Sequence, residues 1–276
     1  MLTDQQLEEI AREVRRDIVT MLEAAGSGHS AGPLGMADFM TVLFFDTLRH
    51  RPEDPDWSGR DAFFLSHGHT APVLYSVLAR SGYFALDELS TLRQFGSRLQ
   101  GHPERTALPG LESTSGPLGS GLSQAAGFAY ALRYLDDPSD RHVFVAMGDG
   151  ELDEGNIWEA AMLASAYGLG NLTGIVDRNF IQIDGNTEKI MPLGDLGEKF
   201  RAFGWETRDI DGNDIAQLRS VLSTARSGSE KPLAIIAHTV PGKGVSFMES
   251  DHKWHGKTPS AAQRDVALAE LAEATR

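Results

Sequence analysis

The stretch HVFVAMGDGELDEG, residues 142–155, decides how this chain folds. HVFVAM is an unbroken apolar run after its first residue, as a strand covered on both faces requires. It runs straight into two glycines around an acid, Gly148, Asp149 and Gly150. A second apolar run, LTGIVD at residues 172–177, leads in the same way into Arg178 and Asn179. In parallel α/β sheets ligands bind at the carboxyl ends of the strands, so these two ends mark the candidate site.

Working outward, DAFFLS (61–66), GWETRDID (204–211) and PLAIIAHT (232–239) read as three further strands. Between them lie helical stretches. Leu7, Ile10, Val14, Ile18, Met21 and Leu22 keep helical spacing behind a Thr3/Gln6 capping box. AAGSGHSAGPLG (24–35) reads as a glycine-rich loop, and MADFMTVLFFDTL (36–48) as a buried helix. TAPVLYSVLARSG, LSQAAGFAYALRYL, NIWEAAMLASAYGL and DIAQLRSVLSTAR are helical too, and PSAAQRDVALAELAEATR (259–276) reads as a closing helix. Residues 98–121 form a long loop, a length that in a compact domain usually serves a function. Alternating strands and helices predict one α/β domain over residues 1–276, a mostly parallel sheet with helices on both faces.

Composition narrows the function. Of 276 residues, 41% are hydrophobic and 23% charged, which suits a globular chain with a sizeable core. The formal net charge of −14 repels phosphate backbones and argues against nucleic-acid binding. A phosphate ligand would need a local cation or oriented amides. With no Cys, disulfides, thiolate metal sites and a Cys nucleophile are excluded. The amphipathic N-terminus is unlike a signal peptide, and no apolar run is long enough to span a membrane. The expectation is a cytoplasmic protein.

Asp149 offers a hard anionic oxygen and Asn179 a neutral one, a pair suited to Mg²⁺ or Ca²⁺ that shares its shell with ligand phosphates. Gly148 and Gly150 leave room for backbone amides to approach such a phosphate. Read alone, GDG is a tight turn and Asn179 a strand-end cap; at two strand ends together they favour a metal-bridged phosphate. Four further loops join His to Gly or Pro: around His29, His67 and His69, His102, and His252 and His255. Zinc at His67/His69 or His252/His255 is the competing use, without a third ligand at a defined spacing. PGKGVS (241–246) lacks the upstream Gly of a phosphate-binding loop and the Ser or Thr after Lys243.

Together GDG…N, GHSAGPLGMADFM, GHPE, SGPLGSG and WHGK resemble the N-terminal, thiamine-diphosphate-binding domain of the transketolase family over nearly the whole chain. The resemblance implies a thiamine-diphosphate-binding fold and transfer of a two-carbon ketol unit from a ketose, often a phosphate, to an aldose. It implies Asp149, Asn179 and the backbone carbonyl of Ile181 as ligands of Mg²⁺, with Ca²⁺ or Mn²⁺ as substitutes. It places His69, Gly148, Gly150 and Asn179 beside the cofactor diphosphate, and Gly116 and Leu118 against its aminopyrimidine. His29, His102 and His255 face the sugar, His255 also reaching the cofactor. His29 and His255 exchange protons with the hydroxyl beside the breaking bond. Glu154 is counted with the cofactor-binding residues, and Glu154 and Glu159 resemble acids at the interface between paired active sites.

Departures from the family pattern are His67 before Gly68, Ser120 where Gln is usual, and Pro241 where Lys is common; substrate preference is what they bear on. The chain also stops soon after WHGK, without segments resembling the family's two further domains. One of those carries the Glu that protonates the aminopyrimidine. The implied complement is a separate C-terminal subunit, two copies of each chain forming a heterotetramer. The rival readings are the α-type subunit of a 2-oxoacid dehydrogenase, which need not keep GHPE and WHGK, and a cofactor-free scaffold.

Overall fold

The computed structural model describes residues 2–135, 140–226 and 229–273. In chain order its first elements are α1 (Asp4–Ala25), α2 (Ala31–Val42), β1 (Ala62–Leu65) and α3 (Ala71–Ser81). Then come α4 (Ser120–Tyr134), β2 (Val143–Gly148), α5 (Gly155–Ala166) and β3 (Leu172–Arg178). A short antiparallel hairpin follows, β4 (Ile181–Gln182) with β5 (Gly185–Asn186), then α6 (Thr187–Ile190) and α7 (Leu196–Ala202). Last are β6 (Glu206–Asp211), α8 (Ile215–Thr224), β7 (Leu233–His238) and α9 (Ala261–Glu273).

The five expected strands form one sheet in the order β1-β2-β3-β7-β6, every neighbouring pair parallel. Alternation along each strand splits the core in two. Phe63, Leu65, Phe144, Ala146, Ile175 and Ile235 face the layer of α1, α2, α3 and α8. Phe64, Val143, Val145, Met147, Val176 and Ile236 face the layer of α4, α5 and α7. Both faces are therefore covered, which is why the central strands read as continuous apolar runs and not as alternating ones.

All residues of α2 are buried, so this helix is a central rod of the first layer and not an amphipathic surface element. The helix includes AGPLG, read from sequence as loop. Pro33 stands in its first turn, where a missing N–H costs no helical bond, and Gly35 abuts the Val240 carbonyl too closely for a side chain. The expected helix over 36–48 ends as a wider π-helical turn at Leu43–Thr47. The Thr3/Gln6 capping box is present. Residues 92–119 carry neither helix nor strand, as the loop reading expects. The β4–β5 hairpin, α6 and α7 were not legible from periodicity. The last helix is described to Glu273; 274–276 lie outside the described residues.

A buried ion pair locks α1 to α2. Arg15 donates from Nη1 and Nη2 to the two oxygens of Asp38 at 3.1 and 2.5 Å, and from Nε to the Leu34 carbonyl. Asn213, before α8, donates to the same Asp38 and to the Gly35 carbonyl. Removing one partner strands a buried charge. Arg15→Ala is expected to lower unfolding free energy by about 3 kcal/mol in urea denaturation. A loss under about 1 kcal/mol would show instead that water replaces the guanidinium.

Candidate functional site

The register of the central strands builds the site. Gly148 pairs with Asp177, so the residues that follow, Asp149 and the turn at Asn179, emerge side by side from β2 and β3. The end of β1 delivers His67 and His69, and the turn between α1 and α2 delivers His29. These groups, with His102, Gly116, Leu118 and His255, line one cavity of about 380 Å³ at the carboxyl end of the sheet. Gly148, Gly150, Asn179 and Ile181 line it too. The cavity thus brings together sequence-predicted residues from six separated loops.

At the cavity floor Asp149 Oδ2 accepts from Arg178 Nη1 at 3.0 Å and from the Phe180 amide at 2.8 Å. Its Oδ1 accepts from Gly150 N at 2.8 Å. Asn179 Oδ1 accepts from Ile181 N at 2.9 Å, while its amide donates to Asp177 at 2.6 Å. Phe180 between them holds φ 62, an uncommon conformation for a bulky residue, with Arg178 stacked over its ring at 4.0 Å. The turn is thus held so that two oxygens, Asp149 Oδ1 and Asn179 Oδ1, each keep a spare lone pair. Such oxygens suit a hard divalent cation completed by water or ligand oxygens. Burial lifts the Asp149 carboxyl above its ordinary range, against the Phe180 amide and Arg178. Burial also raises Asp177 to about 7, opposed by the Thr239 hydroxyl and helped by the Asp149 charge.

Above the floor the imidazoles cluster. Ring centroids lie 4.8 Å apart for His29 and His69, 5.2 Å for His69 and His255, and 5.6 Å for His29 and His255. Ser30 places them: its hydroxyl donates to the Lys257 carbonyl at 2.6 Å, fastening the His255 turn beside His29. Burial holds all of these rings neutral. It lowers His29 to about 4, aided by His255 and Arg93, and it lowers His69, His102 and His255 as well. Neutral imidazoles in contact can each take a proton, but crowding disfavours a second charge.

Two buried polar atoms that line or face the cavity, His29 Nδ1 and Gln182 Nε2, have no partner among the described residues. Gln182 went unnoticed in the sequence because no motif flags it. Glu151 and Asp177 were missed for a similar reason: each adjoins a motif without belonging to it. Glu151 is buried, and burial raises its carboxyl although Ser66 and the amides of Gly119 and Gly148 bond it.

Some expectations need correction. Gly148 and Gly150 both line the cavity; here the Gly148 amide donates to Glu151 Oε2 and the Gly150 amide to Asp149 Oδ1. Glu154, at the start of α5, does not line the cavity; it and Glu159 on the same helix are exposed, as residues at an interface with another chain would be. The zinc reading of His67 fails because both its nitrogens are engaged, with the Ala146 carbonyl and with Met36 Sδ. Among the described residues no group of three or more His, Asp or Glu is arranged to hold a metal. No described helix is long and apolar enough to cross a membrane.

Comparison with known proteins follows the same lines. Residues 4–271 match the family model described as "Transketolase, thiamine diphosphate binding domain". The chain is 39% identical over 259 residues to one subunit of the apulose-4-phosphate transketolase of Phocaeicola vulgatus, covering 94% of this chain and 91% of that one. It is 40% identical over 271 residues to transketolase 2 of Escherichia coli, covering 95% of this chain but 40% of that one. It superposes on the crystal structure of transketolase from Campylobacter jejuni with TM-score 0.92 and 36% identity, over 99% of this chain and 43% of that one.

Burial predicts a pH signature. His67 is lowered to about 4, chiefly by desolvation, against an ordinary 6.5. Protons therefore bind the unfolded chain better, and stability falls as pH drops from 6.5 toward 4, with no such loss above 6.5. Asp177 runs the other way, its contribution being lost as pH rises through about 7. Subtracting the stability curve of His67→Gln isolates the histidine. The difference is expected to slope only between about 6.5 and 4. In ¹⁵N spectra the His29 and His67 rings are expected to stay neutral down to about pH 5.5, whereas protonation centred near 6.5 would overturn the burial argument.

Proposed function

This chain belongs to the transketolase family, and from that premise we propose that it is the N-terminal subunit of a two-chain transketolase. It moves a two-carbon ketol unit from a ketose to an aldose in the cytoplasm. Its whole length forms one diphosphate-binding domain, and a separate C-terminal subunit completes the site in a two-plus-two assembly. The observation that carries this reading is the single cavity shared by Asp149, Asn179 and the His29–His69–His255 cluster. Transketolase names recur among relatives whose whole length this chain matches, including 6-deoxy-6-sulfo-D-fructose transketolase subunit SqwG of a Clostridium, at 37% identity over 98% of both chains.

Asp149, Asn179 and the Ile181 carbonyl would hold the divalent cation, Mg²⁺ with Ca²⁺ or Mn²⁺ as substitutes, which would supply the positive charge a diphosphate needs over an acidic floor. The unpartnered Gln182 amide and His69 both line the cavity and would donate to the diphosphate oxygens. Gly116 and Leu118 form the platform for the aminopyrimidine. When bound, thiamine diphosphate supplies the electron sink for breaking and making the carbon–carbon bond. His102 orients the two-carbon end of the sugar. His29 and His255, both neutral, take the proton of the hydroxyl beside the scissile bond and return it. The sugars in the names of the relatives, apulose-4-phosphate and 6-deoxy-6-sulfo-D-fructose, suit a ketose bearing a distal phosphate or other anion.

The deciding experiment is calorimetric titration of thiamine diphosphate with Mg²⁺ into this chain, alone and with its co-encoded partner. The expected result is tight binding with the partner, followed by ketol transfer from a ketose phosphate; absence of binding in both samples would refute the reading. Asp149→Ala is expected to weaken metal-dependent binding by about 100-fold or more, because the cation that offsets the diphosphate charge then loses its only anionic ligand. His255→Ala is expected to leave binding within about 3-fold of wild type while slowing turnover by about 100-fold. Unaltered turnover would remove His255 from the proton path.

A further inference from the structure

We propose that Glu151 is a positioning residue that fixes the Gly116–Leu118 platform at a set distance from the metal-binding turn. This rests on the thiamine diphosphate reading for the nature of the ligand, but not for the hydrogen bonds. Glu151 lies in a short helical turn directly after Gly150 and is buried at the base of the cavity. Its Oε1 accepts from the Gly119 amide at 2.7 Å and from the Ser66 hydroxyl, and its Oε2 accepts from the Gly148 amide at 3.1 Å. One carboxylate therefore ties the exit of β1, the exit of β2 and the entry to α4. Ser66 extends the tie, since its Oγ also accepts from the Gly121 amide at 3.0 Å.

The geometry around the node is tight. A side chain at Gly121 would fall 2.4 Å from Ser66, one at Gly119 would fall 2.6 Å from Glu154, and one at Gly68 would fall 2.4 Å from Ser115. Gly119 itself has φ 83, a left-handed conformation that turns its amide inward to the carboxylate. The Ser115 hydroxyl adds a bond to the Leu65 carbonyl at 2.6 Å, and Asn156 donates to the Gly119 carbonyl at 3.0 Å. Gly116, by contrast, has nothing within 4 Å of the position a side chain would take, and Leu118 is 42% exposed. Two residues that line the cavity are thus held from either end and not by packing of their own. Of the groups at those ends, Glu151 alone also reaches the end of β2, where the metal-binding turn begins. A buried carboxylate used in this way accepts all its bonds from neutral donors, so its hydrogen bonds fix position without neutralising its charge.

A platform held at a fixed distance matters to a ligand that spans both ends of the cavity, and not to one that occupies the metal-binding end alone. Glu151→Ala, Glu151→Gln and Ser66→Ala are the informative variants. Gln keeps one acceptor but sets an amide donor against an N–H, and Ser66→Ala removes one link while leaving the carboxylate. The first readout is hydrogen exchange at Gly119 and Gly121 in this chain without cofactor or partner. Exchange there is expected to rise by about 10-fold or more in Glu151→Ala, less in the other two, with protection in β3 unchanged. The second is binding to the complex with the partner subunit. Affinity for thiamine diphosphate with Mg²⁺ is expected to fall by about 10- to 100-fold, while affinity for inorganic pyrophosphate with Mg²⁺ stays within about 2-fold. Unchanged exchange at Gly119 and Gly121 would overturn the proposal, as would equal losses for the two ligands. Should Glu151→Ala fail to fold, Ser66→Ala and Glu151→Gln decide by the same readouts. Should wild type bind no thiamine diphosphate, the exchange experiment still judges the tie while the proposed function falls.

Discussion

Three carboxylates, those of Asp149, Glu151 and Asp177, are buried at one end of a parallel sheet. Arg178 is bonded to Asp149 within that group, and shares its charge with Glu188 at the rim. Burial lifts all three acids above their ordinary range. A structure that keeps acids where water is scarce bears a cost that neutral hydrogen bonds only partly offset. Under the proposed function, a divalent cation held by Asp149 and Asn179 would relieve that cost and at the same time reverse the local sign of the field. This is how a chain of net charge −14 can present a phosphate site without a cluster of Lys or Arg.

The same burial that raises the acids lowers the imidazoles. His29, His69, His102 and His255 come from loops far apart in sequence, and the end of the sheet draws them into one wall of the cavity. Being neutral near neutral pH, they leave the acidic floor as the dominant charge and remain ready to accept protons. His67 belongs to the support beneath them. It is buried, bonded to the Ala146 carbonyl, and placed edge-on to His69 at 5.7 Å. That explains in part why His at this position, a departure from the family pattern, does not disturb the cluster.

Much of this was legible in the sequence because buried parallel strands leave continuous apolar runs, as β1, β2, β3 and β7 do, while the edge strand β6 is polar and partly exposed. Asp149 and the cavity histidines were legible because glycine or proline lies close to them, and Asn179 because it follows the end of a second apolar run. Three kinds of feature were hidden. Short elements such as β4–β5 and α6 carry too few residues for a period to show. The first turn of α2 was masked by Gly32, Pro33 and Gly35, which tertiary packing tolerates inside a wholly buried helix. Glu151 was hidden because an acid after a glycine turn looks solvated, and only the approach of Ser66 and Gly119 from distant loops shows it as a node.

What the cavity lacks on its open side bears on how binding and assembly are linked. Leu118 is 42% exposed and Ile183 is 71% exposed, and both line the cavity. An apolar rim of this kind around a charged floor is the surface a second chain is suited to cover. Covering it removes water from the floor, and the attraction between the acids and a bound cation then strengthens as the local dielectric falls. Under the proposed function, partner and cofactor therefore favour each other's binding. Reciprocity requires that whatever factor the partner adds to cofactor affinity, the cofactor adds to the affinity between the two chains. A half-site built on buried acids thus makes assembly and loading two aspects of one equilibrium.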